Sequence, residues 1–342
     1  MGALRNAALA LAALGLIGYA VGLGVYAGAS TRPRVASQPR DAEEARRAIE
    51  QLGLEEAYPF EHRFVDTPHG RMHYADVGAG DPVLCLHGNP TWSFLYREFL
   101  RGLSDRSRVV APDLIGFGLS QKLPDPGAYS IEGHIEDVST LVEVLDLREV
   151  TLVMQDWGGP IGLGVAMRHP DRVRALVVMN TVGFSRTPNV GLPLALRVLR
   201  APVLGEQLVQ GLGLFQRAVI PAAIARPERR TPEVLRAYRE VQGSWDDRAG
   251  TLAFPRLIPR GPDDPVTRLL ERSDAYLRSF RGPVLIVWGM RDRFFGPALL
   301  AEWRSRFPDA PVLELDRAGH YLQEDAADRI VPRIRAFLDA QR

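Results

Sequence analysis

Val150-Thr151-Leu152-Val153-Met154-Gln155-Asp156-Trp157-Gly158-Gly159 is the stretch whose reading decides the fold. Val150–Gln155 is mostly apolar and β-branched, as a strand buried on both faces would be. From Gly158 to Arg168 the apolar residues recur at helical spacing. Asp156 therefore falls on a sharp strand-to-helix turn, with two glycines behind it to relieve crowding. Working outward, similar apolar runs stand at Val83–Leu86, Val109–Ala111, Ala175–Met179, Val284–Trp288 and Val312–Leu315. A helical pattern at Ile131–Leu145 separates two of them, and Arg63–Asp66 with Arg71–Val77 reads as a hairpin across His69-Gly70. Apolar strands alternating with helices predict an α/β protein with a mostly parallel sheet covered on both faces.

One interval breaks that rhythm. Between Met179 and Val284 no strand pattern occurs, and Pro193, Pro202, Pro221, Pro227 and Pro232 punctuate short helical pieces. An unstructured loop of that length is implausible in a compact domain, so the interval predicts an inserted helical cap. The expected division is a core at 58–183 and 268–342, a helical cap at 184–267, a linker at 30–57 and an N-terminal segment at 1–29. The linker is polar, rich in Arg and Glu, and runs into a short helix.

The N-terminal segment has its own character. Ala7 to Ala29 is 23 residues without a charge, and as a helix it would reach roughly 30 Å, enough to cross a bilayer core. It is read here as a transmembrane anchor. The alternative is a signal segment cut near Ala27-Gly28-Ala29, which would leave a secreted or periplasmic protein. Arg32, Arg34 and Arg40 follow the stretch while only Arg5 precedes it, which predicts a membrane-anchored protein with a cytoplasmic catalytic domain.

Composition excludes several classes. A hydrophobic fraction of 46% with 24% charged residues is that of a globular protein. Lys+Arg 42 against Asp+Glu 41 leaves a net charge of +1, so no nucleic-acid footprint is present. The single cysteine, Cys85, cannot form an internal disulfide and sits in an apolar run as a small buried hydrophobe. No Cys or His spacing suits zinc, and neither a metal nor an organic cofactor is expected.

The residue on the turn decides the chemistry. A Ser there would be the usual nucleophile of such an elbow, and Met154 replaces the elbow's usual first glycine. A Ser alkoxide that displaced a leaving group from saturated carbon would leave an ether, which water does not readily cleave. A carboxylate leaves an ester, which an activated water can attack, and it is ionised without help from a base. The base is then free for the second step. Asp292, after strand Val284–Trp288, and His320, after strand Val312–Leu315, follow in the order nucleophile, acid, histidine. His320 would deprotonate water and Asp292 would orient it. Asn89 and Trp157 can each donate an N–H to a departing anion, and their backbone N–H groups would form the oxyanion hole. His87, in the turn His87-Gly88-Asn89-Pro90, is read as shaping the loop. Phe184, Leu212, Phe215 and Trp245 are candidate pocket walls.

His87-Gly88-Asn89-Pro90-Thr91-Trp92, Asp113-Leu114-Ile115-Gly116-Phe117-Gly118-Leu119-Ser120, Gln155-Asp156-Trp157-Gly158-Gly159 and Gly319-His320 together resemble the haloalkane dehalogenases, from roughly Pro59 to Leu338. The resemblance implies the α/β-hydrolase fold, a small apolar substrate and cleavage of carbon–halogen bonds through an aspartyl ester. One branch of that family places its acid where this chain has Asn180. Pairing Asn89 with an acid at Asp292 resembles another branch, often oligomeric, so a homo-oligomer is an expected assembly. That branch shades into β-lactone decarboxylases acting on long-chain lactones, which share the triad. An epoxide hydrolase also uses an elbow Asp but needs tyrosine donors, for which Tyr238 and Tyr276 are the candidates. A non-catalytic binding protein on the same scaffold is the alternative of another class.

Overall fold

The computed structural model describes residues 38–185 and 194–341. Eight strands form one sheet: β1 (Arg63–Thr67), β2 (Gly70–Val77), β3 (Pro82–Leu86), β4 (Arg108–Pro112), β5 (Val150–Asp156), β6 (Val173–Thr181), β7 (Val284–Gly289) and β8 (Val312–Leu315). Their order across the sheet is β1-β2-β4-β3-β5-β6-β7-β8. The β1–β2 and β2–β4 pairs are antiparallel and every later pair is parallel. This is the expected α/β architecture, with the hairpin at one edge.

The apolar runs read continuously because both faces are covered. Val83 and Cys85 of β3 join Val153, Val177 and Val287 in one buried cluster. Leu84 and Leu86 point the other way, into a second cluster with Leu152, Val178 and Ile286. Helices α1 (Ala42–Leu52) and α2 (Arg97–Leu103) flank the sheet, followed by α3 (Ile131–Val144) and α4 (Gly158–Arg168). Asp41 caps α1 by accepting the Glu44 N–H at 2.8 Å, and Gly53 ends it in the left-handed region. Within the expected linker, α1 buries Ala45, Ala48, Ile49 and Leu52 against the cluster that holds Tyr58 and Trp92.

After β6 the chain leaves the sheet, and among the described residues it makes no strand until β7. Here lie α5 (Leu194–Arg200), α6 (Pro232–Glu240), α7 (Ala249–Leu257) and α8 (Pro265–Ser279), joined by shorter turns. Leu212 N–H reaches the Gln207 carbonyl, a wide i→i+5 turn. The chain closes with α9 (Pro297–Arg306), β8 and α10 (Leu322–Asp339).

The reading of a membrane-anchored protein is corrected. Residues 1–29, on which the anchor or signal segment was expected, lie outside the described residues. Among the described residues no helix is long and apolar enough to cross a membrane. The longest, α10, carries Glu324, Asp325, Asp328, Arg329, Arg333 and Arg335, a load that hydrocarbon would not accept.

Candidate active site

β5 ends at the sharp turn. Asp156 has φ +53°, in the left-handed region that costs a non-glycine residue roughly 1–2 kcal/mol. Neighbouring contacts hold it there. Thr181 of β6, its register partner, donates its hydroxyl to the Asp156 carbonyl. A Cβ at Gly158 would lie 2.1 Å from the Leu86 carbonyl oxygen, so only glycine lets α4 start so close to β3. Likewise a Cβ at Gly88 would lie 2.1 Å from Asp156 Oδ1, so the turn after β3 can lie directly over the carboxylate.

That turn delivers a donor. The Asn89 backbone N–H donates to Asp156 Oδ1 at 2.8 Å, and the Trp157 backbone N–H also bonds the carboxylate. Asp156 Oδ2 faces His320 Nε2 at 3.6 Å. Burial raises the Asp156 carboxyl above its ordinary range, and His320 with the two backbone N–H groups opposes the rise without cancelling it.

The loop after β8 carries His320, whose Nδ1 lies 2.9 Å from Asp292 Oδ2. Asp292 follows β7 and is surrounded by donors. Phe294 N–H (2.7 Å) and Phe295 N–H (3.2 Å) bond Oδ1, while the Asn180 amide donates to Oδ2 at 2.7 Å. Burial alone would raise this carboxyl, but His320 and these donors hold it below its usual range. Burial disfavours the charged imidazole, yet Asp292 and then Asp156 raise His320 above its ordinary value. The opposite shifts of His320 and Asp292 reflect their mutual hydrogen bond, while the Asp156 carboxyl shifts upward with its burial.

All five expected site residues are thus brought together: Asn89, Asp156, Trp157 and His320 line one cavity of about 360 Å³, and Asp292 stands behind His320. That volume is in the range of small-molecule sites. The Trp157 ring stands edge-on to Phe254 with centroids 5.1 Å apart, and the Asn89 carboxamide oxygen is buried with no partner among the described residues. Leu196, Phe215, Val219, Ile258 and Val266 supply apolar wall. Of the four candidate walls only Phe215 is among the lining residues. Phe184 packs on Trp303 and Arg306, Trp245 lies against Gly211, and Leu212 is exposed. His87 shapes its loop: Nε2 accepts the Leu114 N–H at 2.9 Å. Asp113 is taken up by His73, Ser93 and Leu119. Among the described residues no group of His, Cys, Asp and Glu is placed to hold a metal ion.

Three supporting residues at the site were given no role from the sequence, Asn180 being named there only as the place of another branch's acid. Gln155 reaches both the ring and the carbonyl of His320. Asn180 braces Asp292 and also bonds the Gly289 backbone; its signal was its place at the end of the strand beside β7. Asp325 accepts the N–H groups of Gly319, Ala225 and Arg226, tying the His320 loop to the helical insertion.

Comparison with known proteins agrees with this geometry. The family model for the alpha/beta hydrolase fold matches residues 81–327. A cis-3-alkyl-4-alkyloxetan-2-one decarboxylase of Shewanella oneidensis is 38% identical over 288 residues, covering 83% of this chain and 90% of the relative. Haloalkane dehalogenase 2 of Mycobacterium bovis is 38% identical over 278 residues, covering 81% and 94%. The tetrameric structure of haloalkane dehalogenase DpaA from Paraglaciecola agarilytica superposes with TM-score 0.73 at 30% identity, covering 83% of this chain and 95% of that one. These relatives, like the described residues, give the membrane-anchored reading no support.

Proposed function

The chain belongs to the α/β-hydrolase fold family, among relatives that include haloalkane dehalogenases, and from that premise we propose that it cleaves carbon–halogen bonds hydrolytically through an ester on Asp156. The observation that carries this reading is the state of the elbow carboxylate. Oδ1 is held by the Asn89 backbone N–H, while Oδ2 faces an apolar cavity and His320 at 3.6 Å.

Asp156 Oδ2 attacks the carbon that bears the halogen; the carbon–halogen bond breaks and its electron pair leaves as halide towards the side-chain N–H groups of Asn89 and Trp157. The ester carbonyl oxygen is then Oδ1, already seated against the Asn89 backbone N–H, with the Trp157 backbone N–H also at the carboxyl group. His320 takes a proton from water, whose oxygen bonds to Asp156 Cγ, and the negative charge develops on Oδ1 where those donors wait. Asp292 balances the imidazolium. Collapse expels the alkoxide, which takes the proton from His320 and leaves as alcohol. The water's second proton, left on the Asp156 carboxyl, passes to solvent to restore the carboxylate. No step calls for a metal or an organic cofactor. The helical insertion serves as the cap over this site. The tetrameric relative supports a homo-oligomer for this chain as well.

A second reading, decarboxylation of a long-chain β-lactone, is supported by the decarboxylase relative at equal identity. The epoxide hydrolase alternative loses its donors. Tyr238 bonds the buried Glu324 and Tyr276 packs on Phe280, and the one tyrosine among the described lining residues is Tyr321. Purified protein should be assayed in parallel on bromoalkanes, an epoxide and a long-chain β-lactone. Halide release supports the dehalogenase, and alkene with carbon dioxide from the lactone alone replaces it with the second reading. In heavy-oxygen water under single-turnover conditions the alcohol should draw its oxygen from the protein; oxygen taken directly from solvent excludes the ester.

A further inference from the structure

Gln155 is the second-last residue of β5, with its side chain fully buried. Its Nε2 lies 3.1 Å from the His320 carbonyl oxygen and 3.2 Å from His320 Nε2. The first contact sets the orientation of the amide, because a carbonyl only accepts and the NH₂ end must face it. Reversing the amide would set oxygen against oxygen and lose both bonds. Gln155 Oε1 is left buried without a partner among the described residues, a cost that marks the NH₂ contacts as the ones the site is built around.

The second contact bears on the tautomer. His320 Nδ1 lies 2.9 Å from Asp292 Oδ2, an acceptor, so Nδ1 carries the proton. Nε2 of the neutral ring then offers a lone pair to the Gln155 N–H. A proton on Nε2 would set N–H against N–H. The charged groups around the ring pull the other way: Asp292 on one side, Asp156 at 3.6 Å on the other. Tyr321, with its hydroxyl kept protonated by burial, and the rings of Phe294 and Phe295 add no charge. Arg293, exposed, is the one Lys or Arg among the described lining residues of the cavity.

We propose that Gln155 is a positioning residue that holds His320 as the neutral, Nδ1-protonated ring until the ester on Asp156 has formed. The proposal rests on the dehalogenase-type reading in taking His320 as the base. An imidazolium 3.6 Å from Asp156 would pair with that carboxylate and blunt its attack. Alkylation turns Asp156 into a neutral ester, and one of the two carboxylates that favour the imidazolium is gone. Water then gives its proton to Nε2 and its oxygen to Cγ. Gln155 keeps its bond to the His320 carbonyl and cedes Nε2. The alkoxide expelled from Cγ takes that proton and departs as alcohol.

Nitrogen-15 resonance of the labelled, full-length protein tests this without substrate. At neutral pH His320 should appear as a neutral ring protonated on Nδ1 with a hydrogen-bonded Nε2; an imidazolium there overturns the proposal. Gln155→Glu replaces the donor by an acceptor for Nε2–H. It should raise the pKa of His320, and the acid limb of ester hydrolysis with it, by about one unit or more. Gln155→Leu should move both in the same direction by less. An unmoved limb in a Gln155→Glu protein with wild-type near-UV circular dichroism overturns the assignment, and if neither variant folds the wild-type spectrum decides. Absence of halide release beside a neutral His320 would count against the reaction and not against Gln155.

Discussion

The floor and the roof of the cavity are built on opposite principles. On the floor, Asp156, Asp292 and His320 each stand at the end of a strand or in the loop after one, and Asp292 alone meets four donors. Parallel strands at fixed spacing bring together residues far apart in sequence, and hydrogen bonds then set each atom. The roof is made of short helices and wide turns presenting Leu196, Phe215 and Val219. Its outer surface leaves Leu194, Val203, Leu204 and Leu212 exposed. Dispersion contacts set volume, not atomic position. The floor therefore decides which bond reacts, and the roof decides which molecules reach it.

Substitutions can break that contrast in order of expected size. Asp156→Ala should abolish turnover, by about 10⁴-fold or more, because no other group forms the ester; steady-state halide release measures it, with circular dichroism to confirm the fold. Substantial remaining turnover would remove the carboxylate from the centre of the reaction. Trp157→Phe keeps an aromatic ring but deletes the indole N–H, and should slow the halide-releasing burst about 100-fold or more. A burst within a few-fold of wild type would make Trp157 a wall and move it from floor to roof. Phe215→Leu, on the roof, should change KM across a series of bromoalkanes by roughly 3- to 10-fold and leave kcat nearly alone. A large fall in kcat for every substrate would mean that the roof also places the reacting atoms.

The same contrast explains what could be read before folding. All eight strands were legible, the central ones because burial on both faces forces continuous apolar runs and the β1–β2 hairpin from its His69-Gly70 turn. The Asp-Trp-Gly-Gly elbow stood out once partners at other strand ends were read with it. The grouping of Asp156, Asp292 and His320 followed from strand ends taken in chain order. The supporting residues were not legible. Gln155 and Asn180 are ordinary polar residues until the sheet sets β5, β6 and β7 side by side. Asp325 acts across 99 or more positions on the insertion, which no local pattern encodes. Among the candidate walls only Phe215 lies on the lining, since an aromatic in a helical insertion packs inward on its own neighbours as readily as onto a cavity. Helix α1 was legible as a helix, but its seating against Tyr58 and Trp92 depends on partners far along the chain.

Asp325 couples the two halves mechanically. It grips the amide before His320 and two amides of the insertion, and the His320 amide itself bonds the Ala223 carbonyl. The stretch 223–226 and the loop bearing the imidazole must therefore travel as one piece. A guest too bulky for the cavity that lifted this corner would carry the ring away from Cγ of Asp156. Bond breaking at the halide would proceed while deacylation lagged, so oversize substrates would act as slow suicide labels, not as poor binders.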